Sequence, residues 1–471
     1  MRFFDTLSGE KREFKPLEGN RVRMYTCGPT VYDYAHIGNF RAYVFEDILR
    51  RWLEFRGYEV FQVMNLTDVD DKTIRGAQSQ GGSLKDYTEP YIKAFFEDLD
   101  ALKVERAEVY PRATEHIPEM IALIRRLKEN KHTYEADGSV YYSIATFPGY
   151  GRLSKMNLEE MRAGARVDMD EYEKADMRDF ALWKQNKPGE PFWESEFGPG
   201  RPGWHIECSA MSMKYLGESF DIHTGGIDNI FPHHENEIAQ SEGATGRKFV
   251  NFWLHCEWLL VNGEKMSKSK GNFYTLRDLL GQGYEPMAIR LFLMSSHYRH
   301  QLNFTGESLP QAGAALQRLV DFRDRLGREK GEDESAVEIP QLITDARRSF
   351  IEAGDDDLNI PRALGCLFDF VRDMNQALDD GVVGTEEIEA TKNLLAECDC
   401  VLGILGSREE PLPEEVLRLV REREEARRKR DFATADQIRS HLLSLGYVLE
   451  DLPGDTRTRK SASKPDTLQE V

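Results

Sequence analysis

His233 and Glu237 stand four residues apart in Phe231-Pro232-His233-His234-Glu235-Asn236-Glu237. On a helix that spacing puts both on one face, one turn apart. An imidazole and a carboxylate so placed suit two ligands of one metal ion. Two thiols offer themselves as partners. Cys208 lies in Gly203-Trp204-His205-Ile206-Glu207-Cys208, and Cys27 ends Val22-Arg23-Met24-Tyr25-Thr26-Cys27 before Gly28-Pro29. Two cysteines, a histidine and a glutamate form an acceptable tetrahedral set for Zn2+, a borderline-soft ion. On spacing alone, an ordinary polar pair at a helix N-terminus competes with the metal. A second chemistry-bearing stretch is Gly263-Glu264-Lys265-Met266-Ser267-Lys268-Ser269-Lys270-Gly271-Asn272. Lysines and serines beside glycines suit a loop that closes on phosphates; a cationic surface loop is the alternative. Gly225-Gly226-Ile227-Asp228 offers close backbone approach and a carboxylate for a ribose hydroxyl pair, although glycine turns followed by Asp are common.

The elements that must position these groups follow from periodicity. Residues 22 to 27 read as a buried strand, and Gly28-Pro29-Thr30 opens a loop running to His36-Ile37-Gly38-Asn39. Residues 40 to 56 read as an amphipathic helix with Phe40, Val44, Ile48 and Trp52 on one side, stopped by Gly57. Residues 60 to 66 give a second strand, completing a βαβ unit whose sheet is expected to be parallel. Ligands of such sheets bind beyond the carboxyl ends of the strands, where Cys27 and His36 fall. Asp68, Asp70 and Asp71 suit caps and turns better than magnesium. Residues 76 to 200 read as an insertion, with helices at 84 to 102 and 117 to 130 and a hairpin around Gly138. A charged segment over 158 to 187 follows, and then Pro-Gly turns. After about residue 309 the chain becomes helical, with candidate helices at 314 to 326, 342 to 353, 361 to 379 and 386 to 403 forming a bundle, and a charged loop over 329 to 338. Pro411-Leu412-Pro413 marks the last boundary.

Composition narrows the class. With 471 residues there is room for roughly three domains. Hydrophobic residues at 40% and charged residues at 31% are those of a soluble globular protein. No apolar run approaches the roughly 20 residues that span a bilayer, and Met1-Arg2-Phe3-Phe4-Asp5 lacks the apolar core of a signal peptide. Six cysteines are no disulfide framework, so a reducing cytoplasm is expected. Cys256, Cys366, Cys398 and Cys400 read as structural or incidental thiols. A net charge of -20 argues against a general nucleic-acid binder but leaves recognition through a local patch. From Glu414 onward twelve Lys/Arg face twelve Asp/Glu, a relative basic excess that includes Arg427-Arg428-Lys429-Arg430. It reads as a phosphate-facing surface, with a solvated helix face as the alternative. Residues 461 to 471 have the composition of a disordered tail.

His36-Ile37-Gly38-Asn39 and Lys265-Met266-Ser267-Lys268-Ser269 together resemble the two signatures of class I aminoacyl-tRNA synthetases, in the expected order and separated by an insertion. Tyr25-Thr26-Cys27-Gly28-Pro29-Thr30-Val31-Tyr32-Asp33, Asn65-Leu66-Thr67-Asp68-Val69-Asp70-Asp71-Lys72 and the segments around Cys208 and His233 are similar to those of the cysteinyl-tRNA synthetases. So are Asp357-Leu358-Asn359-Ile360-Pro361-Arg362-Ala363 and Asp431-Phe432-Ala433-Thr434-Ala435-Asp436. The resemblance implies an α/β fold: a Rossmann-like class I catalytic domain over 1–305 with a connective insertion at about 76–200. A helical bundle contacting tRNA over 306–410 and a small anticodon-binding domain with a disordered tail over 411–471 would follow. It implies activation of L-cysteine by ATP to cysteinyl-adenylate, then transfer to the terminal adenosine of cysteine tRNA, by a cytoplasmic monomer.

By the same resemblance Cys27, Cys208, His233 and Glu237 are the ligands of one zinc ion per chain. That ion would read sulfur against oxygen, a distinction that shape makes poorly. Cys27, Gly28, Thr67, Trp204 and His223 would line the cysteine pocket, with His205, His223 and His234 around the metal. His36, Gly38, Asn39, Gly226, Asp228 and Lys268 would hold ATP, accompanied by Mg2+. His36, Asn39, Lys265 and Lys268 would serve the activation step, where positioning and charge neutralisation dominate. Two departures stand out. The first signature usually ends in His and here ends in Asn39. Leu449-Glu450-Asp451 is followed by Gly454-Asp455-Thr456-Arg457-Thr458 where the family often has an aromatic residue. A ligase joining activated cysteine to an amino sugar would lack residues 411 to 460. A silent RNA-binding paralogue would not need Lys265 and Lys268, and a protein with a purely structural zinc would leave both signatures unexplained.

Overall fold

The computed structural model describes residues 1–156, 179–333, 335–405, 414–429, 431–445, 447–452 and 455–460. The chain opens with a hairpin of β1 (Arg2–Asp5) and β2 (Glu10–Glu13). Strand β3 (Arg21–Thr26) then leads through the loop 27–36 into helix α1 (Ile37–Phe55) and strand β4 (Glu59–Met64). The helix begins three residues before the apolar stripe at Phe40, because His36 caps it and draws Gly38 and Asn39 into its first turn. Gly57, at φ 88°, turns the chain back toward β4. Phe40, Val44, Ile48 and Trp52 are buried, and so are Tyr43, Phe45, Leu49 and Leu53. The helix is therefore covered on more than one side.

Helices α2 (Asp71–Gln80), α3 (Leu84–Ala101) and α4 (Ile117–Glu129) follow. Asp70 is the N-cap of α2, accepting from the N–H groups of Lys72 and Thr73. An antiparallel sheet of β5 (Thr133–Ala136), β6 (Ser139–Tyr142), β7 (Phe180–Gln185) and β8 (Gly200–Pro202) comes next. Of the segment read as charged over 158 to 187, residues 158–178 lie outside the described residues, and residues 180–185 are instead a strand with five buried positions. The strand tolerates its lysine because Lys184 pairs with Asp71 at 3.1 Å.

Helix α5 (Trp204–Leu216), strand β9 (Phe220–Gly226), helix α6 (Glu235–Thr245) and strand β10 (Val250–Cys256) complete the central sheet. Its order is β10-β9-β3-β4, and every neighbouring pair is parallel. The strand order reverses between β3 and β9, and ligands settle in the crevice beyond the strand ends at such a point. Cys27 follows β3 there, its N–H bonded to Thr224 O of β9 at 3.3 Å.

Strands β11 (Leu259–Val261) and β12 (Glu264–Lys265), helices α7 (Leu276–Gly281) and α8 (Pro286–Leu293) and strand β13 (Leu302–Phe304) form the bridge to four long helices. These are α9 (Ser308–Leu326), α10 (Glu338–Asp355), α11 (Ile360–Asp379) and α12 (Thr385–Leu402). One apolar core runs from the central sheet through α1 into these helices; a second lies under the insertion. The last described unit pairs α13 (Glu414–Arg428) and α14 (Phe432–Ser444) with the hairpin β14 (Tyr447–Leu452) and β15 (Asp455–Lys460), around Val416, Leu419, Leu442 and Leu449. The boundary at 411–413 and the tail 461–471 lie outside the described residues.

Candidate active site

The four proposed ligands come from three places in the chain. Cys27 directly follows β3, Cys208 sits on the second turn of α5, and His233 and Glu237 flank the start of α6. Their ligand atoms lie within 4.8 Å of one another. His233 Nε2 stands 3.1 Å from Glu237 Oε1. Glu237 is fully buried, and its Oε1 has no hydrogen bond of good geometry. A buried carboxylate oxygen left open among two thiols and an imidazole is the arrangement a divalent ion completes.

Without an ion every group in this cluster is pushed toward neutrality. The Cys27 thiol rises well above its usual range through its hydrogen bond with Cys208 and through burial. For Cys208 the same contact pulls the other way, but burial and the Glu237 charge leave it raised. Burial lifts Glu237 to about 7 against the pull of His233, and burial lowers His233 to about 3. A dication reverses this local logic and turns the thiols into thiolates.

A second set shares two of these residues. Cys27, His223, His234 and Glu237 also converge within 4.8 Å. His223 Nε2 is 3.0 Å from Glu237 Oε2, and His234 Nε2 is 3.2 Å from Cys27 Sγ. Each histidine is tied outward through Nδ1: His223 to Thr224 O at 3.1 Å, His233 to His205 Nδ1 at 2.9 Å, and His234 to His255 Nε2 at 2.8 Å. His255 in turn meets Thr6 Oγ1 at 2.8 Å. Such outward bonds set the ring orientation of metal-binding histidines. The part of His255 escaped sequence reasoning, since it is one polar residue inside the apolar strand β10.

A cleft of about 490 Å³ opens beside the cluster. Cys27, Gly28 and Trp204 line its inner end; His36, Gly38, Asn39, Gly226, Asp228 and Lys265 line the remainder. Trp204 is 43% exposed and stacks on His233, with ring centroids 4.5 Å apart. Thr67 and His223 do not line the cleft. Both are buried, Thr67 bonded to Glu207 and Asn65, His223 behind Glu237. Tyr32, Asp33 and Lys72, to which sequence reasoning gave no role, do line it.

His36 is the N-cap of α1. Its Nδ1 accepts from the Asn39 N–H at 3.1 Å, and Asn39 Oδ1 accepts from the His36 N–H at 3.1 Å. This is a reciprocal capping box. Burial lowers His36 to about 4, so the ring is neutral near pH 7. With Nδ1 accepting, the ring proton sits on Nε2. A Cβ on Gly38 would stand 2.8 Å from Met266 Cε and 3.0 Å from the His36 ring, so glycine lets the two signatures approach closely here. Across the cleft Lys265 Nζ lies 3.2 Å from the centroid of Trp258. Lys268 is ion-paired with Asp33 and held up in pKa by that hydrogen bond.

Comparisons with known proteins agree over the whole length. Residues 13–314 match the family model of the tRNA synthetases class I (C) catalytic domain. Residues 349–406 match the DALR domain, and 409–459 the cysteinyl-tRNA ligase anticodon binding domain. The cysteine–tRNA ligase of Solibacter usitatus is 51% identical over 463 residues, covering 98% of this chain and 99% of the relative. That of Protochlamydia amoebophila is 50% identical over 468 residues, covering 98% of each. Among solved structures, Mycobacterium tuberculosis methionyl-tRNA synthetase in complex with methionyl-adenylate is similar with a TM-score of 0.60 at 15% identity, over 82% of this chain and 90% of that one. At that identity the likeness is one of fold.

Proposed function

Because the chain belongs to the class I cysteine–tRNA ligases, we propose that its buried cluster is a zinc site that selects the substrate by its sulfur, at the inner end of a cleft that activates cysteine with ATP. The observation that carries this reading is the convergence of Cys27, Cys208, His233 and Glu237 beside a cleft lined by residues of both signatures. A bound zinc ion supplies a soft Lewis acid that favours a thiolate over a hydroxyl. The remaining work falls to the protein's own side chains. Trp204 and Gly28 bound the cysteine pocket. Asp228 receives the ribose, and Gly38 leaves room for the adenine. The N-terminus of α1 presents a positive dipole end to the phosphates. His36, neutral, donates from Nε2. Lys265 and Lys268 neutralise the charge that develops as the cysteine carboxylate attacks the α-phosphate and pyrophosphate leaves, with Mg2+ accompanying ATP. Lys268 must exchange Asp33 for a phosphate to do so. Asn39 serves by holding His36. The adenylate then passes its cysteinyl group to the 3'-terminal adenosine of cysteine tRNA. Residues 1–305 act as the catalytic domain with its insertion, 306–410 as a helical domain against the tRNA, and 411–471 as the anticodon reader. We read the protein as a cytoplasmic monomer. No helix of the described residues is long and apolar enough to cross a membrane.

The test is aminoacylation of cysteine tRNA by purified protein, with cysteine-dependent ATP–pyrophosphate exchange and metal content measured on the same sample. Exchange, charging and about one zinc per chain are expected, with negligible exchange on serine. Exchange without charging would replace tRNA by another acceptor, such as an amino sugar. Ready activation of serine by the zinc-loaded protein would remove the metal from substrate selection.

A further inference from the structure

Cys27 and Cys208 each adjoin a polar group that the reaction above leaves unused: the part-buried N–H of Gly28 and the buried carboxyl of Glu207. A line of hydrogen bonds joins these two neighbours. The Gly28 N–H donates to Asn65 Oδ1 at 2.9 Å, Asn65 Nδ2 donates to Thr67 Oγ1 at 3.1 Å, and the Thr67 hydroxyl donates to Glu207 Oε2 at 3.1 Å. Asn65, Thr67 and Glu207 are all buried. The polarity is forced from one end. A backbone N–H can only donate, so Asn65 turns its oxygen to Gly28 and its amide hydrogens to Thr67, which leaves the single Thr67 proton for Glu207.

The backbone reinforces the line. The Thr67 N–H donates to Pro29 O at 3.1 Å, and the Val31 N–H donates to Thr67 O at 3.1 Å. A Cβ on Gly28 would fall 1.8 Å from Asn65 O, so the close approach of the two segments itself requires glycine. The loop after Cys27 is thus laced to 65–67, and the Thr67 hydroxyl carries that lacing across to Glu207, the residue before Cys208 in α5.

We propose that Thr67 is a positioning residue whose hydroxyl couples Asn65 to Glu207 and so fixes the separation of Cys27 from Cys208. This inference rests on reading the cluster as a zinc site. It differs from the direct cysteine contact implied for Thr67 by the family resemblance, because the hydroxyl is spent inside the protein and faces no part of the cleft lining.

The experiment compares wild type, Thr67→Val and Thr67→Ser as full-length proteins. Zinc affinity is measured by chelator competition, KM for cysteine and for ATP by pyrophosphate exchange, and folding by thermal melts. Zinc content of the wild type, measured first, separates failure of the metal reading from failure of this one. In Thr67→Val, zinc affinity is expected to fall about tenfold, the lower range for groups that orient metal ligands. Cysteine KM should rise while ATP KM stays unchanged, and Thr67→Ser should restore both zinc affinity and cysteine KM. Unchanged zinc affinity with a raised cysteine KM would make Thr67 a direct substrate contact and overturn the proposal. Equal losses for cysteine and ATP with a lowered melting temperature would overturn it too, as general destabilisation.

Discussion

Asn39 stands where the family's first signature usually carries histidine, and its amide has a visible task. Its Oδ1 takes the His36 N–H while its own N–H bonds His36 Nδ1. The side chain that looked like a departure holds the histidine before it. Asn39→Ala is expected to cost about 1 kcal/mol of stability, the usual worth of a helix cap, and to lower kcat of pyrophosphate exchange more than it raises cysteine KM. Chemical unfolding and steady-state kinetics on one preparation would check both; a change in cysteine KM alone would move Asn39 into the amino-acid pocket. Residues of this kind were unevenly legible. His233 and Glu237 could be paired from the sequence because helix geometry is local. Cys27 and Cys208 lie on either side of an insertion, so the residues marked them only as candidate partners, and family resemblance made them one ligand set. His223 and His234 were placed near the metal by family resemblance alone, since their convergence on Cys27 depends on how β9 and α6 pack.

Helix α1 links the cleft to the helical region. Its N-terminus carries the first signature, and its middle carries Asp47, buried and paired with Arg290 of α8. Arg290 Nε donates to Leu402 O at the end of α12 at 2.7 Å, and Nη1 donates to Leu102 O at 3.0 Å. One guanidinium thus ties three segments to α1. Arg290→Met would leave Asp47 with Arg51 as its remaining ionic partner and orphan two carbonyls. A loss of about 3 kcal/mol in urea unfolding is expected, the scale for breaking a buried pair. A loss below about 1 kcal/mol would place the pair among ordinary surface ones. The elements themselves were readable where periodicity was long, as in α1 and in α9 to α12. Strand β7 was not. Phe180-Ala181-Leu182-Trp183-Lys184-Gln185 is short, and its buried lysine disguises it until Asp71 arrives from α2.

The protein as a whole has two opposed titration arms. Burial lowers His36 and His297 to about 4 and His255 to about 3. Unfolded, each titrates near 6.5, so between these values only the unfolded chain binds the proton. Their contribution is present above about pH 6.5 and drains away as pH falls toward 3 to 4. Glu46 runs the other way. Burial raises it to about 8, although the Thr224 hydroxyl at 2.8 Å works to lower it. Its contribution is present below about pH 4.5 and is lost as pH rises through 8. Glu46→Gln keeps an acceptor for Thr224 and removes the alkaline arm. The variant is expected to melt at about the wild-type temperature near pH 5 and several degrees higher near pH 8; an equal shift at both would refute the assignment. The net charge of -20 foretells none of this, because the arms depend on which few groups are enclosed. The central sheet also gives the molecule a history. Strand β3 is synthesised early and its partner β9 late, with the insertion between them. At roughly 5–20 residues per second, translating from Cys27 to Glu237 takes about 10 to 40 s. For that time Cys27 is a bare nascent-chain thiol, and the cluster it shares with Cys208, His233 and Glu237 cannot assemble until the last of these has been made.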